Sequence, residues 1–259
     1  MGKAKLPLFF AFTLSIWLMS VPRIGISAGL SSWQKIDEGL ESRSLEFNSP
    51  QFENTIKIQV LRIDPEKFGV RVIDCRAFGA ERMDVKSMAR KAQALAVING
   101  GFFLPDHRPL GLLIVNGKEM NPLRNADWGI FLMQDHTPRI IHTKEFSPEI
   151  SVSQALQVGP RLVVSGRELR LKRQVARRSA VGVTFTNHVV LLSTTDTEAY
   201  AQNLARIFQT RESEGGLECR EALTLDGGPS AQMYGEYKSL KIDIPGGWPV
   251  PNGIGVFKK

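Results

Sequence analysis

The stretch SAVGVTFTNHVVLLSTT, residues 179–195, sets two apolar runs of strand length around a short polar break at Asn187 and His188. Both runs are rich in β-branched residues and Asn tolerates the left-handed turn conformation, so the stretch predicts a β-hairpin. GLLIVNGKEM (111–120) repeats the pattern around Asn116-Gly117, the strongest short hairpin signal. GIFLMQDHTPRIIHT (129–143) reads as another hairpin, and TIKIQVLRID (55–64) and GVRVID (69–74) alternate apolar and polar residues as half-buried strands do. EALTLD and NGIGVFK, beginning at Glu221 and Asn252, supply closing strands.

Two segments have helical spacing. DVKSMARKAQ (84–93) opens with Asp84 as a cap and leads into the apolar strand ALAVI, which ends on Asn99. TEAYAQNLARIF (197–208) places Ala201, Leu204, Ala205 and Phe208 on one face, with Asp196 or Thr197 as its cap. Hairpins outnumber strand-helix-strand crossovers, which predicts an α+β fold: a largely antiparallel twisted sheet with a few packed helices. Neither a linker nor an internal repeat interrupts the pattern, so a single domain over 55–259 is expected, preceded by a polar leader over 29–54.

At the N-terminus, Lys3 and Lys5 precede an apolar run from Leu6 to Val21, and the small-residue site ISA ends at Ala28. That is the pattern of a secretory signal peptide over 1–28, with the mature chain beginning near Gly29. An uncleaved membrane anchor is the competing reading, because the run falls just short of the ~18 residues of a spanning helix. Either way the protein is expected outside the cytoplasm, periplasmic or secreted. Removing residues 1–28 takes away Lys3, Lys5 and Arg23 and no acid, so the formal charge falls from +7 to +4. The basic run RELRLKRQVARR (167–178) has no interleaved aromatics and reads as a solvated face rather than a nucleic-acid site. Cys75 and Cys219 are the only cysteines. In an oxidising compartment they can pair, and two buried free thiols are the alternative.

Two further segments share one logic, an apolar strand followed by a polar residue and paired glycines: AVINGGFF (96–103) and LTLDGGPSAQM (223–233). Glycine pairs let backbone N–H groups face outward, and Asn99 and Asp226 at the strand ends then point into a shared cleft. A tight turn explains either segment as simply. These two segments, together with GLLIVNGK (111–118), QVGPRLVVSGR (157–167), RSAVGVT (178–184) and VPNGIGV (250–256), occur in an order that resembles the phosphodiester glycosidases over nearly all of the mature chain. Two departures stand out. Pro229 occupies the place of a third glycine, and Ser179 follows the arginine where the family usually has Thr.

The resemblance implies a hydrolase that cleaves a sugar-1-phosphodiester, N-acetylglucosamine-1-phosphodiester among the candidates, in an envelope or extracellular glycan. Ordinary glycosidases need two carboxylates, one to protonate a poor leaving group. A phosphodiester already leaves well, so electrostatic stabilisation can replace that acid. Asp226 is then the nucleophile or general base, Arg178 the phosphate clamp and Asn99 a hydrogen-bonding partner in catalysis. Gly100, Gly101, Phe102, Gly227, Gly228, Ser230, Trp248 and Asn252 line the substrate site. Asp127 and Asp196 are the candidate second carboxylates, while Glu119 and Glu221 read as exposed strand residues.

The four histidines are scattered, and no zinc spacing, nucleophile elbow or P-loop is present. The sequence requires no cofactor, and Ca²⁺ on carboxylates stays open, since such sites need no sequence signature. Two other functions remain: an envelope protein that binds anionic glycan without turnover, which Pro229 favours, and a phosphodiesterase that breaks the P–O bond.

Overall fold

The computed structural model describes residues 1–2, 32–48 and 55–259. From residue 3 on, the expected signal peptide lies outside the described residues, as does the expected start of the mature chain. Among the described residues the chain forms four sheets and two α-helices, α1 (Val85–Ala92) and α2 (Ala201–Gln209). The largest sheet runs β1 (Gln34–Asp37), β2 (Leu40–Asn48), β3 (Thr55–Ile63), β15 (Val189–Thr194), β14 (Ser179–Thr184), β17 (Cys219–Thr224), β11 (Arg161–Val164), β12 (Arg167–Glu168) from edge to edge. A second sheet runs β19 (Leu240–Ile244), β18 (Met233–Tyr237), β5 (Ala96–Asn99), β20 (Asn252–Lys258), β4 (Phe68–Asp74). A third runs β7 (Lys118–Asn121), β6 (Leu113–Val115), β10 (Gln154–Val158), β8 (Gly129–Gln134), β9 (Thr137–His142), and β13 (Val175–Ala176) pairs with β16 (Ala199–Tyr200). Neighbouring strands are antiparallel throughout these ladders, as the hairpin pattern predicts.

The hairpins form where the turn chemistry places them. Asn116 (φ 50°) and Gly117 (φ 76°) join β6 to β7 in the doubly left-handed geometry that Asn-Gly favours. Asn187 (φ 62°) lies in the β14–β15 turn. The main core lies between the sheets, where Val181, Leu191 and Leu223 of the first meet Ile98, Met233 and Ile254 of the second and Phe131 and Leu156 of the third. The outer face of the first sheet is covered by α2, and that of the second by α1. The cap of α1 is Asp84, whose carboxylate accepts the Ser87 N–H at 2.8 Å.

Three expectations are corrected. Residues 34–48, expected to belong to a leader ahead of the domain, supply two strands of the largest sheet, and β2 pairs with β3 over its whole length. Helix α2 is capped neither by Asp196 nor by Thr197. Ala199 and Tyr200 first pair with β13, and the helix begins only after them, with Asn203 Oδ1 accepting the Tyr200 N–H at 3.0 Å. Cys75 and Cys219 are free thiols buried on the outer faces of different sheets, the first under α1 and the second under α2. Burial pushes the Cys75 thiol up to about 12 and raises that of Cys219 as well. Among the described residues no helix is long and apolar enough to cross a membrane.

Candidate active site

β5 and β17 end at one corner of the molecule, where β14 and β20 begin. Beyond the last residue of β17, the Leu225 N–H reaches Ser179 O at 2.8 Å and the Asp226 N–H reaches Gly100 O at 2.9 Å. Gly228 donates to Arg177 O, and Gly100 to Asn252 O, both at 2.9 Å. The main chain of Asp226 is thus stitched between two sheets. Its half-buried carboxylate accepts from the Ser230 hydroxyl and the Gly227 N–H. Burial raises its pKa above the ordinary aspartate value, and these two hydrogen bonds pull the other way.

Arg178 flanks the same turn. A Cβ built on Gly227 would stand 3.8 Å from Arg178 Nη1, so the guanidinium lies against the Gly227 backbone. Its Nε donates to Ala199 O at 3.1 Å and its Nη2 to Gln174 O. Part of the guanidinium fork is therefore spent on main-chain carbonyls, which leaves Nη1 rather than the full bidentate edge for a phosphate. Burial lowers the Arg178 pKa, with Glu198 opposing, and the group stays cationic at neutral pH.

Asn99, expected among the catalytic residues, is fully buried. Its Nδ2 donates to Asp226 O at 2.8 Å and its Oδ1 accepts the Gln232 N–H at 3.1 Å. These bonds tie the Asp226 backbone to β5. Asn252 accepts the Gly101 N–H on Oδ1 at 2.8 Å, while its buried Nδ2 has no partner among the described residues. Gly100 and Gly101 are pressed from outside: a Cβ at the first would overlap Asn252 Oδ1, and one at the second would meet Gln157 O at 3.1 Å. Phe102 is half-buried with its ring edge-on to Trp128, centroids 5.1 Å apart. Trp248 is 56% exposed, on a loop whose Gly247 and Trp248 N–H groups donate to Pro229 O at 2.7 and 3.1 Å. The main-chain carbonyl of Pro229 thus anchors the Trp248 loop, and proline withholds the N–H donor that any other residue would have there.

The proposed second carboxylates do not join this group. Asp127 is solvent-facing and paired with His142 Nε2 at 2.8 Å, which lowers its pKa, and Asp196 is an exposed turn residue with φ 37°. Glu221, read as exposed, is half-buried and accepts the Ser165 N–H at 2.9 Å; Glu119 is exposed on β7. Among the described residues no group of three His, Cys, Asp or Glu side chains converges.

Two glutamines were not among the sequence candidates. Gln232, 1% exposed, holds the Val85 N–H on Oε1 at 2.9 Å and donates from Nε2 to Ser230 O and Trp248 O, at 3.2 and 2.8 Å. Gln157 holds Leu112 and Arg124 through three hydrogen bonds and donates a fourth to Thr143 Oγ1. Polar residues in a strand buried at every position, as in QALQV, are the signal that marks Gln157.

The family model for phosphodiester glycosidases matches residues 92–257. No curated protein sequence matches the chain. Similar solved structures include a hypothetical protein from Synechocystis (TM-score 0.67, 15% identity, 85% of this chain and 62% of that one). The catalytic domain of zebrafish N-acetylglucosamine-1-phosphodiester alpha-N-acetylglucosaminidase, auto-inhibited by its pro-peptide, has a TM-score of 0.66 at 15% identity, covering 90% of this chain and 88% of that one. A protein of Burkholderia pseudomallei K96243, provisionally described as exported, has a TM-score of 0.55 at 13% identity, covering 78% and 74%. This chain thus spans less than two thirds of the Synechocystis protein. At these identities the likeness shows the fold.

Proposed function

Because the chain belongs to the phosphodiester glycosidase family, we propose that it is an exported hydrolase that cleaves a sugar-1-phosphodiester of an envelope or extracellular glycan. The observation that carries this reading is the Asp226 corner: a half-buried carboxylate with a raised pKa, held by Ser230, on a turn against which the Arg178 guanidinium lies. Water supplies the hydroxyl that ends on the anomeric carbon, and Asp226 takes its proton or first attacks that carbon itself. The C–O electron pair leaves with the phosphate, which departs as a monoester. Arg178 Nη1 stabilises the charge that grows there, and no general acid is called on. Trp248 offers an exposed ring for stacking against the apolar face of the sugar. No step of this scheme calls on a cofactor.

Export is part of the same reading, supported by the charged, apolar and small-residue order of positions 1–28 and by the description of the Burkholderia neighbour. Hydrolysis in ¹⁸O-labelled water tests the chemistry. Label in the sugar is expected, label in the phosphate would assign P–O cleavage, and tight binding without turnover would leave a glycan-binding protein.

A further inference from the structure

The basic run 167–178 is more ordered than a solvated face needs to be. It arches from β12 to β14 past the start of α2, pinned by Leu169 N–H to Leu162 O at 2.9 Å and by Leu171 N–H to Gln202 Oε1 at 3.2 Å. Leu171 packs on the cluster beneath α2, and Val175–Ala176 pair with Ala199–Tyr200. The side chains of Arg170, Lys172 and Arg173 are exposed on this arch and make no hydrogen bond or ion pair with a described residue; Arg173 lies over the Tyr200 ring, 5.4 Å from its centroid. The arch's one acid, Glu168, is taken up by Gln202 at 3.1 Å and Arg206 at 3.6 Å. A cavity of about 180 Å³ opens here, lined by Leu171, Lys172, Arg173, Tyr200 and Gln202. The same arch ends at Arg178, whose guanidinium bonds Gln174 O and Ala199 O before reaching the Gly227 backbone.

Resting on the hydrolase reading above, we propose that this arch is an anion subsite for a polymeric substrate. It holds a second phosphate of a chain of repeating sugar phosphodiesters while a neighbouring linkage lies at Asp226. Uncompensated cations carried along a main chain that hydrogen bonds and strand pairing hold in place suit a repeating anion, whereas a single small diester would need only Arg178. The Tyr200 ring is covered by Arg173, so the arch offers no open aromatic for base stacking, which favours a phosphoglycan over a nucleic acid.

The test compares wild type with the triple variant Arg170→Ser, Lys172→Ser, Arg173→Ser in the full chain, using poly(N-acetylmannosamine-1-phosphate) and a small 4-nitrophenyl sugar-1-phosphodiester. The variant is expected to bind the polymer about tenfold more weakly at low salt, with a flatter salt dependence. Its kcat/KM on the small diester should be unchanged. Equal polymer binding by the two proteins overturns the subsite, as does an equal loss on the small diester. A single-stranded oligonucleotide of matched charge that binds more tightly than the polymer overturns the glycan assignment. Polymer binding that is lost in the variant, from a wild type that turns over neither probe, supports the subsite and counts against the hydrolase reading instead.

Discussion

Asn99-Gly100-Gly101 and Asp226-Gly227-Gly228 follow buried strand segments with the same pattern, yet the fold uses them in opposite ways. At the first, the polar side chain is fully buried and spends both ends of its amide on Asp226 O and the Gln232 N–H, and both glycines are there because Asn252 and Gln157 crowd them. At the second, the carboxylate stays half exposed, and Gly228 takes φ 59° with open space around it. One turn is a joint between sheets, and the other carries the carboxylate that we propose is reactive and that the joint holds through the Asp226 carbonyl. A shared local pattern therefore fixes neither the turn geometry, since only Gly228 of the four glycines is left-handed, nor the role.

In stability, that contrast breaks most sharply at Gly100. Gly100→Ala drives a methyl into Asn252 Oδ1 and close to Asn252 O, and should cost about 3 kcal/mol. Thermal unfolding would read this as a loss of about 6–12 °C in Tm. Asn99→Ala leaves the Asp226 carbonyl and the Gln232 N–H without their partners, at a cost of about 2 kcal/mol. If Asn99 positions Asp226, kcat should fall about tenfold while KM holds. A rise in KM at constant kcat would mean that Asn99 touches substrate after all. Gly228→Ala meets no atom and strains only its positive φ, so a loss of about 1 kcal/mol is expected. A larger loss there would show that Gly228 is as confined as Gly227, where a Cβ would meet Arg177 O at 3.0 Å.

The strands were legible because their signals are local: the alternation of Ile56, Ile58 and Val60, the apolar run into Asn99, and the Asn116-Gly117 turn all lie within a few residues. The Asp84 cap is local in the same sense. Asp226 and Ser230 could be paired as candidates because they sit four residues apart in one turn. What the sequence hid depends on contacts between distant segments. Pairing of Ala176 with Ala199 delays α2 past its expected cap and places the two carbonyls that occupy Arg178. The burial of Asn99 follows from its approach to Asp226, and the separation of Cys75 from Cys219 from the outer faces to which two sheets assign them. No spacing within either segment records those distances.

The raised pKa of Asp226 gives the most direct measurement its sign. A carboxyl whose folded pKa lies above its unfolded value holds its proton more tightly in the folded state, so its contribution to stability falls as pH rises from the ordinary value of 3.8 through the folded one. Asp226→Asn removes that penalty, while Oδ1 can still accept from Ser230 and Gly227. At neutral pH the variant should therefore melt no lower than wild type and lose at least about 10²-fold in turnover of a sugar-1-phosphodiester. The wild-type acid limb of kcat/KM should lie above 3.8. A folded Asp226→Asn protein with near-wild-type turnover would contradict the account and reduce the second turn to a joint like the first.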